Sequence, residues 1–520
     1  MIPKTGLDPE AKDIVHEEET NVVATTESNV SRMALGASIS LFGIVIARGL
    51  EFVKQVAMAR LLGPQSFGLF ALGWNTLRLA GILATLGLHT GVMNYGTAYW
   101  RRDGGAFRSI ITRSILLSFF VGWILTLILI LIAPWLTDTI FNEPDFLPLF
   151  RIFSLMLPFL GALRVAATAT RISKRMQFSI IAEDITQSAI NLVLFALFYI
   201  LGWQLFGAII STVISFIIAL GVAVYFIWQL FGSTFSEKSK ILISNRELLV
   251  YSAPTAIAEM SGAIILRIDR LFLGYYRPPA EVGIYQAASQ ISVIMAATLY
   301  AFNMILMPMI SEQFHSKDMK QLEELFRVNT KWGIYATIPL VLIIGFAAKE
   351  VMVVLFGAEY VLGSTALIIL TVGQFINIAT GATATILIMT GYQSVWFRLS
   401  LAAMVMSLSV NNVLIPSFGI NGAAIATSLT ISIQFIVGLL IIRRKIHIWP
   451  YDRRYLKGAL ATLFTSTMLI FMSSFGLQPL AHLVLITIVA IIGFFGCLLF
   501  FGLDPEDRSF IMQIAKRFSR

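Results

Sequence analysis

Arg48, Glu51 and Gln55 follow i, i+3, i+7 spacing inside an otherwise apolar run, with Lys54 at the edge of the same helical face. Far along the chain, Glu259, Arg267 and Arg270 fall within an arc of about 80° at 100° per residue. Asp269 points elsewhere on that helix. Other apolar runs carry Asn75 with Arg78, Arg151 with Arg164, Glu183 with Asp184, and Gln286 with Gln290 and Asn303. A charge in hydrocarbon costs roughly 2.5–3.5 kcal/mol on insertion scales, so such groups are expected to face a wet cavity or a partner. In the first half of the chain the bases Arg48, Lys54, Arg78, Arg151 and Arg164 outnumber the acids Glu51, Glu183 and Asp184. A shared cavity of that composition suits an anion, and the planar guanidinium fork matches phosphate oxygens. We expect Arg48, Arg78, Arg267, Arg270 and Lys54 to contact such a ligand. Glu51, Glu259 and Asp269 are expected to pair with them or to couple an ion. The plainer alternative is that Arg151, Arg164, Lys54 and Arg270, near the ends of their runs, snorkel to the interface, and that Glu183 and Asp184 only cap a helix.

Other chemistries find little support. The chain has one cysteine, Cys497, which excludes a disulfide framework and any cysteine-based metal or redox motif. Its five histidines are scattered without HExxH spacing. No catalytic residue, metal or cofactor is expected. The net charge of +9 reads as basic loops flanking membrane spans rather than as a nucleic-acid surface.

The elements that must position these residues are long and apolar. The chain is 57% hydrophobic and 13% charged, with mean hydropathy +0.81, and cannot furnish the charged shell of a soluble protein this large. Continuous runs of spanning length recur at about 34–58, 67–91, 108–134, 146–169, 179–200, 203–231, 248–274, 283–309, 331–355, 360–389, 396–416, 421–442, 457–475 and 480–502. Continuous runs rather than short alternating segments predict an all-α polytopic membrane protein of about fourteen transmembrane helices. With the N-terminus inside, alternation places Arg101, Arg102, Arg171, Lys174, Arg175, Arg443, Arg444, Lys445, Arg453 and Arg454 in inner loops. Only Arg60 and Arg277 fall in outer ones. That asymmetry predicts cytoplasmic N- and C-termini in the cell membrane. Residues 1–31 are acidic, contain no signal peptide and read as a disordered cytoplasmic tail.

The halves echo each other at an offset of 215 residues. Pro64, Gly68 and Phe70 meet Pro279, Gly283 and Tyr285; Ala133 and Phe141 meet Ala348 and Phe356; Gly207-Ala208 meets Gly422-Ala423. This predicts an N-lobe over 32–231, a cytoplasmic linker over 232–247, and a pseudo-symmetric C-lobe over 248–443, six helices in each lobe. Two C-terminal helices over 444–503 and a cytoplasmic tail over 504–520 complete the chain. Six is even, so both lobes insert in the same sense, as in parallel-repeat transporters that work by alternating access.

The segments ARLLGPQSFGLFALG after the first run, DRLFLGYYRPPAEVGIYQAA after the seventh and LIPSFGINGAAIATSLT at the eleventh and twelfth resemble the polysaccharide-exporter branch of the MOP (MATE-like) flippase superfamily, the Wzx-type oligosaccharide flippases. The resemblance covers about residues 33 to 502, and the acidic N-terminal tail departs from it. It implies a fourteen-helix, two-lobed bundle that moves a polyprenyl-pyrophosphate-linked oligosaccharide between leaflets for polysaccharide biosynthesis, with its partners the lipid-linked glycan and membrane lipid. It also implies cationic residues on the first helix of each lobe, where Arg48 and Arg267 or Arg270 stand. The coupling ion, H+ or Na+, stays open. One rival is a cation-coupled multidrug or metabolite antiporter of the MATE type, since fold does not fix function. Another, a polyprenyl-sugar glycosyltransferase or glycan polymerase, would want acids in the first outer loop or a large outer loop. Here the first outer loop, LLGPQS, has no acid, and the longest, near 135–147, is short.

Overall fold

The computed structural model describes residues 9–233, 244–475, 477–502, 504 and 506–507. Side chains are described from residue 43 onward, except at 297–302, 304–305 and 308. Among the described residues every regular element is helical. In chain order the α-helices are α1 Pro9–Thr85, α2 Leu88–Tyr99, α3 Gly104–Trp135, α4 Leu147–Ser154, α5 Leu157–Arg171, α6 Met176–Ile180, α7 Gln187–Ile200 and α8 Gln204–Phe231. The second set is α9 Asn245–Tyr276, α10 Pro279–His315, α11 Met319–Phe356, α12 Ser364–Ala379, α13 Thr383–Met389 and α14 Gln393–Lys445. The hairpin α15 Tyr455–Ser473 and α16 Pro479–Phe500 closes the chain.

Among the described residues, eleven helical segments are long and apolar enough to cross a membrane. Two of them are double rods. α1 turns at Gly63 (φ 71°), where the following Pro64 restarts a helix, and α14 turns at Gly419 (φ 52°) just after Pro416. The side-chain-free backbone freedom of glycine is needed at both. α10 is a further long helix of 37 residues. The short break expected at 201–205 is a true turn, with Gly202 and Gln204 both at positive φ. The 248–274 run, interrupted by charge, is nevertheless one unbroken helix. Other runs are broken where continuity was expected: at Leu86-Gly87, between α4 and α5, and at Gly381.

The segment 1–31, expected as a disordered tail, carries helical backbone from Pro9 on, continuous with the first span. Residues 10–35 contain neither proline nor glycine to interrupt it. Residues 1–8, residues 234–243 of the expected linker and most of the expected C-terminal tail lie outside the described residues.

The backbone repeats at the same offset as the sequence. Asn142 (φ 52°) and Gly357 (φ 113°) lie 215 apart, and so do Gln204 (φ 38°) and Gly419. Phe141 and Phe356, just before the first pair, are both buried. The expected N-lobe corresponds to α1 to α8 and the expected C-lobe to α9 to α14. At the Gly63 end of the bundle the lobes meet backbone to backbone. A Cβ on Gly68 would overlap the carbonyl of Pro279, and one on Gly283 would overlap that of Pro64. Tyr360 adds a hydrogen bond from its hydroxyl to the Ala59 carbonyl at 2.7 Å. At the opposite, basic end, Gly87 and Gly91 pack on Ser252, and Tyr95 sets its ring edge-on to Tyr251.

The α15–α16 hairpin leans on α11 through Tyr335 and Phe494. Its base is clasped by charge. Lys331, with its side chain 1% exposed, is held by Asp504, Glu506 and Asp507, and Lys457 reaches Asp504 at 2.7 Å. Arg454 binds Glu324, Asp452 and Glu506. Partial burial alone would raise the Asp504 carboxyl, but hydrogen bonds from Lys457 and Lys331 outweigh it and hold the group below its ordinary range.

Candidate functional site

Between the lobes lies a cavity of about 610 Å³. Its walls come from both limbs of α1, from α5, from the turn before α7, from α8, and from α9 and α10. The turn before α7, Ile181–Thr186, is π-helical. The consecutive Glu183 and Asp184 of this turn both line the cavity.

The two charged stripes converge here. Arg48 and Glu51 of α1 and Glu259, Arg267 and Arg270 of α9 all line the cavity, with Arg78 from the second limb of α1 and Arg164 from α5. Arg151 is exposed and not among the lining residues. Lys54 does not line the cavity either. It is buried, 2% exposed, donating to Glu51 at 2.6 Å with its ammonium over the Trp74 ring. Its distance from the Arg48 stripe turns it into the helix bundle, where the carboxylate it neutralises is its natural partner. Asp269 is likewise buried behind the wall. It accepts from Arg270 at 2.8 Å, from Tyr285 at 2.5 Å and from Thr427 at 2.9 Å. Lys54 and Asp269 are 215 positions apart, so the lobes carry opposite charges at equivalent buried sites.

Donor availability separates the arginines. Arg270 binds Asp269, the Leu266 carbonyl, Gln286 and Ser289, which commits most of its guanidinium to the C-lobe. Arg267 spends one donor on Asn75 of the other lobe at 3.0 Å. Arg78 lies over the Trp74 ring at 5.1 Å, and among the described residues neither it nor Arg48 has a hydrogen-bonded partner. The lining holds five arginines and four carboxylates. Glu51 is neutralised by Lys54, Arg270 by Asp269, Arg164 by Glu259 and Glu183 by Arg171. What remains is Arg48, Arg78 and Arg267 against Asp184, a cationic excess with free donors from both lobes. Chemically, that arrangement can donate to an anion with several acceptor oxygens.

Sequence reading did not single out His89, Trp74 or Ser188. His89 lies 11 residues after Arg78, which would return to the same helical face, but the turn at Leu86-Gly87 intervenes and hides the relation. Trp74 reads as one more core aromatic. Ser188, donating to Glu51 at 3.1 Å, carries no sequence signal.

A family model described as "Polysaccharide biosynthesis protein" matches residues 34–314, more than half of the chain. The chain belongs to the polysaccharide biosynthesis protein family. A second model, MatE, matches residues 254–413 of this polysaccharide biosynthesis protein, in keeping with the MOP superfamily. Among characterised relatives, the probable low-salt glycan biosynthesis flippase Agl15 of Haloferax volcanii is 26% identical over 220 residues, 42% of this chain and 46% of that one. The capsular polysaccharide biosynthesis protein CapF of Staphylococcus aureus is 24% identical over 251 residues, 48% of this chain and 62% of that one. The chain thus spans about half the length of these relatives. Of solved structures, the lipid II flippase MurJ in an inward closed conformation superposes with a TM-score of 0.73 at 14% identity, covering 88% of this chain and 98% of that one. At that identity the likeness concerns the fold.

Proposed function

We propose that this polysaccharide biosynthesis protein is a transporter, not an enzyme: a flippase that carries a lipid-linked oligosaccharide across the cell membrane by alternating access. The observation that carries this reading is the convergence of Arg48, Arg78 and Arg267, with donors to spare, on one cavity between two lobes. A polyprenyl-pyrophosphate head group offers the negative charge and the acceptor oxygens those donors lack. A cavity of about 610 Å³ has the size of a small-molecule site. In this state it takes a pyrophosphate and the sugars next to it, and a longer glycan needs the lobes to part.

The two edges of the lobe boundary differ in a way that suits a lipid tail. One edge, α2 against α9, is sealed by Gly87, Gly91 and Ser252. On the other, Arg48, Val45 and Ile46 of α1 and Val293 and Ile294 of α10 are exposed. There the polyprenyl chain remains in lipid while its head group occupies the cavity. The basic end of the bundle faces the cytoplasm, with both termini, so transport runs from the basic end to the Gly63 end.

The match to the MatE model over 254–413 favours a second reading, a cation-coupled antiporter of drugs or metabolites. The test runs in a cell that needs this protein for surface glycan. Arg48→Ala with Arg78→Ala is expected to abolish glycan export while the protein accumulates normally. Full export by the well-expressed double variant removes the anionic-cargo reading. Drug resistance conferred by the unaltered protein, with glycan unaffected by its loss, establishes the antiporter instead.

A further inference from the structure

Glu259 projects from α9 of the C-lobe and is held by two groups of the N-lobe. Its Oε1 accepts from His89 Nε2 of α2 at 2.9 Å and from Arg164 Nη2 of α5 at 3.2 Å. These bonds cross the lobe boundary at the basic-end limit of the cavity. Just beyond them the boundary continues as the packing of Gly87 and Gly91 on Ser252 and of Tyr95 on Tyr251. An ionic tie therefore stands between the cavity and a packed seam.

Two features make this tie unlike an ordinary structural ion pair. Glu259 and Arg164 both line the cavity, and the Arg164 side chain is 35% exposed. The guanidinium that ties the lobes is thus also part of the wall that receives an anion. The tie is also incompletely satisfied. Oε2 of Glu259 and Nδ1 of His89 are buried with no hydrogen-bond partner among the described residues. Buried polar atoms left unmet raise the energy of the closed arrangement and leave it open to a better partner.

We propose that Glu259 is a resident counter-anion, which ties the lobes while the cavity is empty and is displaced from Arg164 and His89 by the anionic head group of the cargo. This rests on the anionic-cargo reading above. A pyrophosphate carries more charge than one carboxylate and presents several oxygens to a guanidinium in its preferred forked geometry. Once it engages Arg164, Glu259 faces an anion instead of a cation. An attraction between the lobes becomes a repulsion, strengthened by the low dielectric around it. Engagement of the head group thereby loosens the α2–α9 seam at the basic, entry end, where the lobes part to admit the rest of the glycan, and an empty carrier keeps that end shut. Glu259 is on this account a positioning residue that acts through Arg164 rather than a binding residue.

The experiment uses the full chain in lipid nanodiscs with Cys497→Ser, which removes the single native thiol. Tyr95→Cys and Tyr251→Cys place one thiol on each side of the seam, and a short bis-maleimide reports how often they meet. The probes are inorganic pyrophosphate and farnesyl pyrophosphate, with farnesol as the uncharged control. With Glu259 present, both pyrophosphates are expected to lower cross-linking several-fold and farnesol to leave it unchanged. Glu259→Gln is expected to lower it without any probe and to abolish the response. Glu259→Asp, which keeps the charge, is expected to retain a response to the probes that a merely structural role would not give. Unchanged cross-linking in a folded Glu259→Gln variant overturns the proposal. So does pyrophosphate binding, measured by calorimetry, that leaves cross-linking untouched. A protein that binds no pyrophosphate, yet loosens on Glu259→Gln, overturns the cargo reading and the displacement step with it, while showing that the tie itself is real.

Discussion

Gly68 and Gly283, 215 positions apart, face each other across the lobe boundary so closely that each occupies space a Cβ on the other side would need. Each is also pressed by the carbonyl of the proline that starts its partner's helix, Pro279 or Pro64. The obstacle to a side chain is backbone, which cannot swing aside as the end of a flexible side chain can. Gly68→Ala is therefore expected to wedge the Gly63 end of the lobes apart. Overpacking of this kind costs about 1–3 kcal/mol, enough to shift a two-state lobe equilibrium by roughly 5- to 150-fold. A cysteine at the cavity-lining Ala263, in a Cys497→Ser background, should react faster with an impermeant thiol reagent applied from the Gly63 side. Equal labelling in Gly68→Ala and unaltered protein would mean that this contact does not seal that end.

Asp269 and Arg270 form a buried pair whose members are nearly saturated by Tyr285, Thr427, Gln286 and Ser289. Removing one charge strands the other in the C-lobe. Breaking a buried pair from one side costs about 3–5 kcal/mol, whereas removing both charges is far less harmful. Asp269→Asn alone should sharply lower the melting temperature in detergent. Asp269→Asn with Arg270→Gln should recover much of that loss. If the double variant melts as low as the single one, the pair does more than neutralise itself, and a bound cation at Asp269 becomes the better account.

The clasp at the base of the α15–α16 hairpin sets a pH window. Asp504 is held below its ordinary range by Lys457 and Lys331. A depressed carboxyl contributes stability above its unfolded value, about 3.9, and loses it as pH falls through the lower folded value. The hairpin should thus stay anchored from mildly acidic to neutral pH and detach only in strong acid. Thermal unfolding followed at a tryptophan across pH would check this. Lys331→Met leaves Asp504, Glu506 and Asp507 without their shared cation. It should destabilise the hairpin at neutral pH, and Asp504→Asn added to it should restore part of the loss.

Much of the architecture was legible because two strong periodicities carry it. Apolar runs of spanning length mark the rods, and the 215-residue offset of Pro64 and Pro279 marks the halves. The charged stripes of α1 and α9 could be assigned to one cavity because Arg48 and Glu51, and Glu259, Arg267 and Arg270, each share a helical face. Periodicity could not reach what depends on depth or on local winding. Asp269 sits one residue from the cavity-lining Arg270 and Lys54 three from the cavity-lining Glu51, and both are buried away from the cavity. The π-helical turn that carries Glu183 and Asp184 leaves no trace in a pattern read at 3.6 residues per turn. His89 was invisible as a lobe-bridging group because its partner, Glu259, lies 170 positions away on a helix of the other half.

Trp74 connects the buried Lys54 and the cavity-lining Arg78. Its ring carries the Arg78 guanidinium at 5.1 Å and the Lys54 ammonium at 5.6 Å, and it is itself braced by Phe70 and Phe216. Arg78 has no hydrogen bond to a described residue, so this ring is what orients it toward the cavity. A cation over an aromatic face is worth about 0.5–2 kcal/mol, depending on desolvation. Trp74→Ala should free Arg78 to sample other rotamers and weaken binding of inorganic pyrophosphate by roughly 2- to 30-fold. Trp74→Phe keeps an aromatic face and should lose less. Calorimetry on the purified full chain measures both. Retention of full affinity by Trp74→Ala, in protein that still folds, would show that Arg78 needs no platform and that the charge alone suffices.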